Sequence, residues 1–137
     1  MLGKGSLVRE KRVLIVDDEA SIRELCARVL SRAGFAVVTA GNGTEGLRLL
    51  QAEPFDLVIS DIRMPGISGL DVLEHAKQRY PSIIVVLITG FGTPEALARA
   101  KASGAERILT KPFNPIELLT TVKEVLPNDD GDNPLTR

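Results

Sequence analysis

The stretch that decides the fold is VLIVDDEA, residues 13–20, in which four apolar residues run directly into three acidic ones. The apolar part is typical of a strand buried on both faces of a parallel sheet, because it lacks the alternation of a half-exposed strand. Asp17, Asp18 and Glu19 then place three like charges at the carboxyl end of that strand. Because like charges this close repel one another, we expect a positive group or ion to lie beside them.

The rest of the chain repeats this alternation of short apolar runs and amphipathic segments. The apolar runs lie at residues 12–16, 36–39, 56–60, 83–88 and 107–109. The segments between them have helical spacing, and the last three begin with capping residues. The last one places Ile116, Leu119 and Val122 on its predicted inner face. Five β–α units predict an α/β fold, a doubly wound five-stranded parallel sheet with five helices on its two faces.

Length and composition indicate one ordinary globular domain. The 137 residues carry a net charge of −1, which gives no bulk attraction to nucleic acid or to a membrane surface. Cys26 is the only cysteine and therefore forms no internal disulfide, which fits a reducing compartment. No apolar run is long enough to cross a bilayer and no signal peptide is evident, so we predict a cytoplasmic protein. We expect flexible segments at 1–10 and 127–137 around a domain at 11–126.

Chemistry-bearing residues follow four of the five predicted strands. Asp17 and Asp18 follow the first strand, Asp61 the third, Thr89 the fourth and Lys111 the fifth. Each has an ordinary reading alone, since carboxylates often cap the next helix and a single lysine is usually a solvated charge. In an open α/β sheet, however, all of them meet at the carboxyl edge. Three carboxylates there favour a bound divalent cation with oxygen ligands, Mg²⁺ or Mn²⁺.

A carboxylate beside a divalent cation, a hydroxyl and an ammonium group forms a site suited to phosphoryl transfer. The reaction depends on positioning and charge neutralisation more than on elaborate covalent chemistry. A carboxylate would act as nucleophile and form an aspartyl-phosphate, while the metal and the ammonium would bind phosphoryl oxygens. The pattern therefore predicts a phosphoryl acceptor.

Four motifs in order, VLIVDDE, DLVISDIRMPGISG, LITG and LTKPF, resemble the receiver domain of bacterial two-component response regulators such as the chemotaxis response regulator. The resemblance covers about residues 11–126 and implies a flavodoxin-like fold with strand order 2-1-3-4-5. It implies a signalling domain rather than an enzyme, which assists its own phosphorylation and slow autodephosphorylation. The phosphoryl donor that it implies is a histidine kinase or a histidine phosphotransfer domain.

The resemblance also implies roles for individual residues around the metal. Asp61 matches the phosphoacceptor, Asp18 the direct Mg²⁺ ligand and Asp17 a ligand that acts mainly through water. The backbone carbonyl of Arg63 matches the third protein ligand. Glu19 matches no ligand, and we expect it in the first turn of the following helix, where the helix dipole favours an acid.

The remaining roles concern the phosphoryl group and the switch. Thr89 matches the switch hydroxyl and Lys111 the phosphate-binding lysine, and the resemblance implies a cis peptide bond before Pro112. Ile108 departs from the family pattern, because it stands where the family usually has a rotating Tyr or Phe. We therefore expect phosphorylation to move residues 89–92 and the next helix without an aromatic flip.

Two residues flank the path of the water that would hydrolyse the phosphoryl group. Arg63 lies two positions after Asp61, and Phe91 lies two positions after Thr89. Their ordinary readings are a solvated arginine and a partly packed phenyl ring. The functional prediction is that both hinder the water and slow self-dephosphorylation.

Three alternatives remain open at this point. They are a phosphatase-like hydrolase with an aspartate nucleophile and Mg²⁺, a degenerate receiver that only binds partners, and a nucleotide-binding module. The first usually has a second acid where Arg63 stands, the second predicts lost acids or a lost lysine, and the third needs a glycine-rich fingerprint. ITGFGTPEA, residues 88–96, weakly resembles receivers joined to transcriptional activators of the nitrogen-regulation type. We further expect the 93–126 face to be available for homodimer formation, and no direct nucleic-acid or membrane binding.

Overall fold

Five parallel strands and five helices alternate along the chain in the computed structural model, which describes residues 9–126. The strands are hydrogen-bonded in the order β2-β1-β3-β4-β5, so the predicted fold and strand order are confirmed. The predicted flexible tail and most of the predicted flexible N-terminal segment lie outside the described residues. The elements are β1 Arg12–Val16, α1 Ala20–Arg32, β2 Ala36–Ala40, α2 Gly43–Ala52, β3 Leu57–Asp61, α3 Gly69–Arg79, β4 Ile84–Thr89, α4 Pro94–Ala102, β5 Arg107–Thr110 and α5 Pro115–Val125.

The three central strands are buried almost throughout, as their uninterrupted apolar sequences predict. Alternate strand residues point to opposite faces, so two hydrophobic cores form, one on each side of the sheet. Cys26 lies buried in one of them, and its burial raises the pKa of the thiol to about 12. The buried central strands hold in place the backbone of the residues that follow them.

Helix starts follow the capping residues in the sequence. Ser68 and Asn114 form capping boxes at α3 and α5, and the Thr93 side chain accepts a hydrogen bond from the Ala96 amide at α4. In α4 only Ala100 is buried, so this helix is held by few apolar contacts.

The predicted inner face of α5 is partly wrong. Ile116 is 76% exposed, whereas Leu118 and Val122, four residues apart, are buried against the sheet. A residue two positions before Leu118 lies on the opposite side of a helix with 3.6 residues per turn, so the Leu118–Val122 stripe turns Ile116 to solvent.

Within residues 9–126, no helix is both long and apolar enough to cross a membrane. The cytoplasmic location stays a prediction.

Candidate functional site

The register of the central strands brings two carboxylates together. In β1 and β3, Val16 lies beside Ser60, so the next residues, Asp17 and Asp61, emerge side by side at the carboxyl edge. Both are buried, and Asp17 is 0% exposed. The parallel sheet therefore forms an acidic pocket, as the sequence predicts.

Gly69, the first residue of α3, is needed to keep this edge compact. A Cβ atom at Gly69 would overlap the backbone carbonyl oxygen of Asp61. A larger residue would push the start of α3 away from the end of β3. The glycine thus lets the helix pack directly on the backbone that carries Asp61.

Lys111 supplies a positive charge beside the carboxylates of Asp17, Glu19 and Asp61. Its Nζ lies 3.0 Å from Oδ2 of Asp61 and 3.4 Å from Oδ2 of Asp17, and it also donates to Oε1 of Glu19. Its side chain is 17% exposed. Burial lowers the pKa of the ammonium, but hydrogen bonds to Glu19 and Asp61 and the nearby charges outweigh this, so the pKa lies above its ordinary value.

Asp17 has one satisfied oxygen and one that lacks a hydrogen bond. Its Oδ1 accepts a hydrogen bond of 2.9 Å from the Glu19 amide, whereas the buried Oδ2 has no hydrogen-bond partner. Burial raises the pKa of Asp17, and the charge of Asp61 adds to this against the opposing effects of the Glu19 amide and Lys111. A buried carboxylate oxygen without a donor is a suitable ligand for a hard divalent cation.

Among the described residues, three carboxylates lie close enough to share such a cation. Oxygens of Asp17, Glu19 and Asp61 all lie within 4.8 Å of one another. Asp18 is exposed and is not part of this group, so its direct contact with Mg²⁺ stays a prediction.

Glu19 is the residue that sequence reasoning missed. The expectation of a first-turn position is wrong, because Glu19 is the N-cap of α1 and its side chain makes no capping hydrogen bond. Its carboxylate turns to Lys111 instead, 92 positions further along the chain. Spacing within the sequence carries no signal for such a contact, which arises only when β1 and β5 join the same sheet.

Comparison with known proteins identifies the family. The family model for the response regulator receiver domain matches residues 13–123. The chain belongs to the response regulator receiver family. Receiver domains of this family act in two-component signalling.

Relatives of this receiver domain include longer regulators. It is 44% identical over 113 residues to a putative NtrX-like response regulator of Rickettsia felis, matching 81% of this chain and 24% of the relative. It is 39% identical over 114 residues to the DNA-binding transcriptional regulator NtrC of Escherichia coli, matching 83% and 24%. The chain spans about a quarter of the length of these curated relatives.

Solved receiver structures show the same architecture. The chemotaxis protein CheY4 of Vibrio cholerae superposes with a TM-score of 0.81 at 38% identity, covering 86% of this chain and 100% of that one. The similarity therefore extends over the whole of that smaller protein.

An open cleft lies beside Thr89, the residue predicted to be the switch hydroxyl. The cleft has a volume of about 600 Å³ and lies between the end of β4, α4 and β5, with Leu97, Ile108 and Thr89 in its lining. Thr89 is buried and its Oγ1 has no hydrogen-bond partner. Phe91 is 75% exposed. An aromatic residue in place of Ile108 would border this cleft.

The two other predicted positions are also located. Arg63 donates its amide to Oδ1 of Asp61 at 3.2 Å, while its side chain is exposed. The ligand role of its carbonyl stays a prediction. The Lys111–Pro112 peptide bond is cis, as the resemblance implies.

Proposed function

We propose that this receiver domain accepts a phosphoryl group on Asp61 from the phosphohistidine of a histidine kinase or a histidine phosphotransfer domain. The observation that carries the proposal is the pocket in which Lys111 Nζ lies 3.0 Å from Asp61 Oδ2 and 3.4 Å from Asp17 Oδ2, a buried oxygen that accepts no hydrogen bond. These groups supply a nucleophile, a permanent positive charge and an oxygen ligand for a metal ion within one buried space.

The chemistry follows from these groups. One carboxylate oxygen of Asp61 attacks phosphorus, a new O–P bond forms, and the N–P bond of the donor breaks with its electron pair left on the imidazole nitrogen. Lys111 turns from Asp61 to a phosphoryl oxygen, and the unpaired hydroxyl of Thr89 donates to another.

Asp17 and Asp61 are the residues best placed to hold Mg²⁺ or Mn²⁺, with Asp18 and the Arg63 carbonyl as the further ligands that the resemblance implies. When bound, the cation would neutralise charge on the phosphoryl oxygens and orient them for in-line transfer. Asp17 Oδ2 supports this fit, because it is buried and accepts no hydrogen bond, with only the ion-pair contact of 3.4 Å to Lys111.

We propose that the phosphorylated domain signals through its 93–126 face by binding a partner, a second copy or an attached output domain. Ile116 supports this, since it is a large apolar side chain left 76% exposed on that face. The net charge of −1 supports a role without direct nucleic-acid binding. Phe91 and Arg63, which are both exposed and stand two residues after Thr89 and Asp61, would slow hydrolysis of the phosphoryl group.

A turnover phosphatase is the competing function. Arg63 argues against a phosphatase, because such hydrolases usually have a second acid two residues after the nucleophile. Here an exposed arginine stands at that position. We propose that the domain acts stoichiometrically, as a phosphoacceptor. Multiple turnovers of a generic phosphate ester with Mg²⁺ would favour the hydrolase instead.

Phosphoryl incorporation tests the proposal. The chain is incubated with Mg²⁺ and a small phosphoryl donor, and the intact mass is measured before and after hydroxylamine, which cleaves acyl phosphates. We expect one hydroxylamine-sensitive phosphoryl group in the parent and in Glu24→Gln, an exposed acid on α1. Asp61→Asn should take up none; full incorporation in that variant would contradict the proposal.

A further inference from the structure

The contact between Glu19 and Lys111 has no counterpart among the roles that the family resemblance assigns. Glu19 stands at the N-cap of α1 with its side chain 55% exposed, and it binds Lys111 rather than the amides of its own helix. An N-cap side chain normally accepts from those amides. The Glu19 carboxylate therefore binds Lys111 across the pocket and does not cap its own helix.

Lys111 is surrounded by acceptors in this state of the pocket. An ammonium group has three N–H donors. Lys111 donates to Asp61 and Glu19, and it forms an ion pair of 3.4 Å with Asp17 Oδ2 without a hydrogen bond. A phosphoryl oxygen that binds Lys111 therefore competes with these carboxylates for the ammonium group. Asp17 and Asp61 are buried at strand ends, whereas Glu19 lies at the pocket mouth and is free to swing into solvent.

We propose that Glu19 is a positioning residue that competes with the phosphoryl group for Lys111 and so stabilises the unphosphorylated pocket. The inference rests on the proposed function, because it concerns the lysine that would bind the phosphoryl oxygens. Glu19 releases Lys111 when the phosphoryl group is in place and holds it again after hydrolysis. It thereby sets how readily the pocket accepts a phosphoryl group.

Three substitutions separate this competition from simple repulsion of an anionic ligand. Glu19→Gln keeps the length of the side chain and removes its charge. Glu19→Asp keeps the charge but is one methylene shorter, and aspartate at an N-cap turns to the helix amides. Glu24→Gln removes an exposed charge from the same helix, away from the pocket, and serves as the control.

The probe is beryllofluoride, a stable analogue of the phosphoryl group, titrated into the chain at saturating Mg²⁺ while backbone amide shifts are followed. We expect Glu19→Gln and Glu19→Asp to lower the dissociation constant about two- to fivefold, the range typical of a partly exposed ion pair. Glu24→Gln should match the parent. In the metal-free chain without beryllofluoride, the methylene next to the Lys111 ammonium should shift in both Glu19 variants but not in Glu24→Gln.

The outcomes are distinct. A parent-like constant in both Glu19 variants overturns the inference and leaves the proposed function standing. Tighter binding in Glu19→Gln alone also overturns it, because loss of charge rather than release of Lys111 would then be the cause. A parent chain that neither binds beryllofluoride nor takes up a phosphoryl group overturns the proposed function itself.

Discussion

The ammonium nitrogen of Lys111 lies 3.0 Å from Oδ2 of Asp61, so the lysine and the proposed phosphoacceptor form an ion pair in the buried pocket. The pair joins the end of β3 to the residue after β5 and neutralises an acid that is 5% exposed. Binding of a metal ion or of a phosphoryl group at Asp61 would therefore have to rearrange this ion pair.

Removing the Lys111 ammonium group should lower the stability of the metal-free fold and strengthen the binding of Mg²⁺. Without metal, Lys111→Met leaves buried carboxylates unpaired, and we expect the free energy of unfolding to fall by about 1–3 kcal/mol. Mg²⁺ should bind more tightly, because it no longer competes with the ammonium. Urea unfolding with and without Mg²⁺ measures both, with the exposed Lys123→Met as control. Equal metal-free stability of Lys111→Met and the parent would refute the pairing.

Asp17 should destabilise the metal-free fold at neutral pH. Burial raises its pKa, so the unfolded chain ionises more readily and stability falls as the pH rises above the unfolded value of 3.8. Asp17→Asn should therefore raise the melting temperature without metal and lose most of the rise caused by millimolar Mg²⁺.

The exposed Asp18 provides the contrast. The sequence alone predicts mutual repulsion among these acids without singling one out, whereas the burial of Asp17 makes it the main source. We expect Asp18→Asn to match the parent without metal in a thermal unfolding experiment. Stabilisation by Asp18→Asn and not by Asp17→Asn would contradict this account.

The hydroxyl of Thr89 should matter for the switch and little for stability. Because its buried Oγ1 has no partner, Thr89→Val should leave the free energy of unfolding unchanged or raise it by up to about 1 kcal/mol. Phosphorylation should alter amide-exchange protection across residues 89–110 in the parent and in Thr110→Val, a neighbour that lines the same cleft. The same change in Thr89→Val, or none in the parent, would be inconsistent with a switch through this hydroxyl.

Asp71 should stabilise the fold only above acidic pH. The Ser68 amide donates to its carboxylate and holds the pKa below the ordinary 3.8, so its contribution is present above that value and is lost as the pH falls through the lower folded pKa. Asp71→Asn should flatten the stability profile below about pH 4, relative to the parent. Acid titrations of unfolding free energy that run parallel would rule out this contribution.

Much of the fold follows from the sequence because local patterns carry it. Buried parallel strands read as continuous apolar runs, and the capping residues Ser68, Thr93 and Asn114 mark helix starts. Ile116 was misplaced because the inner face of a short helix depends on which side meets the sheet. That choice is made by Leu118 and Val122 together, through packing that no local pattern contains.

The candidate site shows the same division. Asp17, Asp61 and Lys111 could be predicted to meet, since strand ends in a parallel sheet share one edge. The exposure of Asp18 and the turn of Glu19 toward Lys111 could not, because they depend on side-chain directions after β1. Adjacent acids of similar chemistry therefore differ in burial and in contacts, which the sequence does not show.

The central claim is that Asp61 carries the phosphoryl group, and chemical mapping tests it most directly. After incubation with Mg²⁺ and a small phosphoryl donor, borohydride reduction converts an aspartyl-phosphate to homoserine, which peptide mass spectrometry locates. We predict homoserine at position 61 alone, and none when Mg²⁺ is withheld. Reduction at Asp17 or Asp18, or no reduced residue in a chain that has gained a phosphoryl group, would contradict the account.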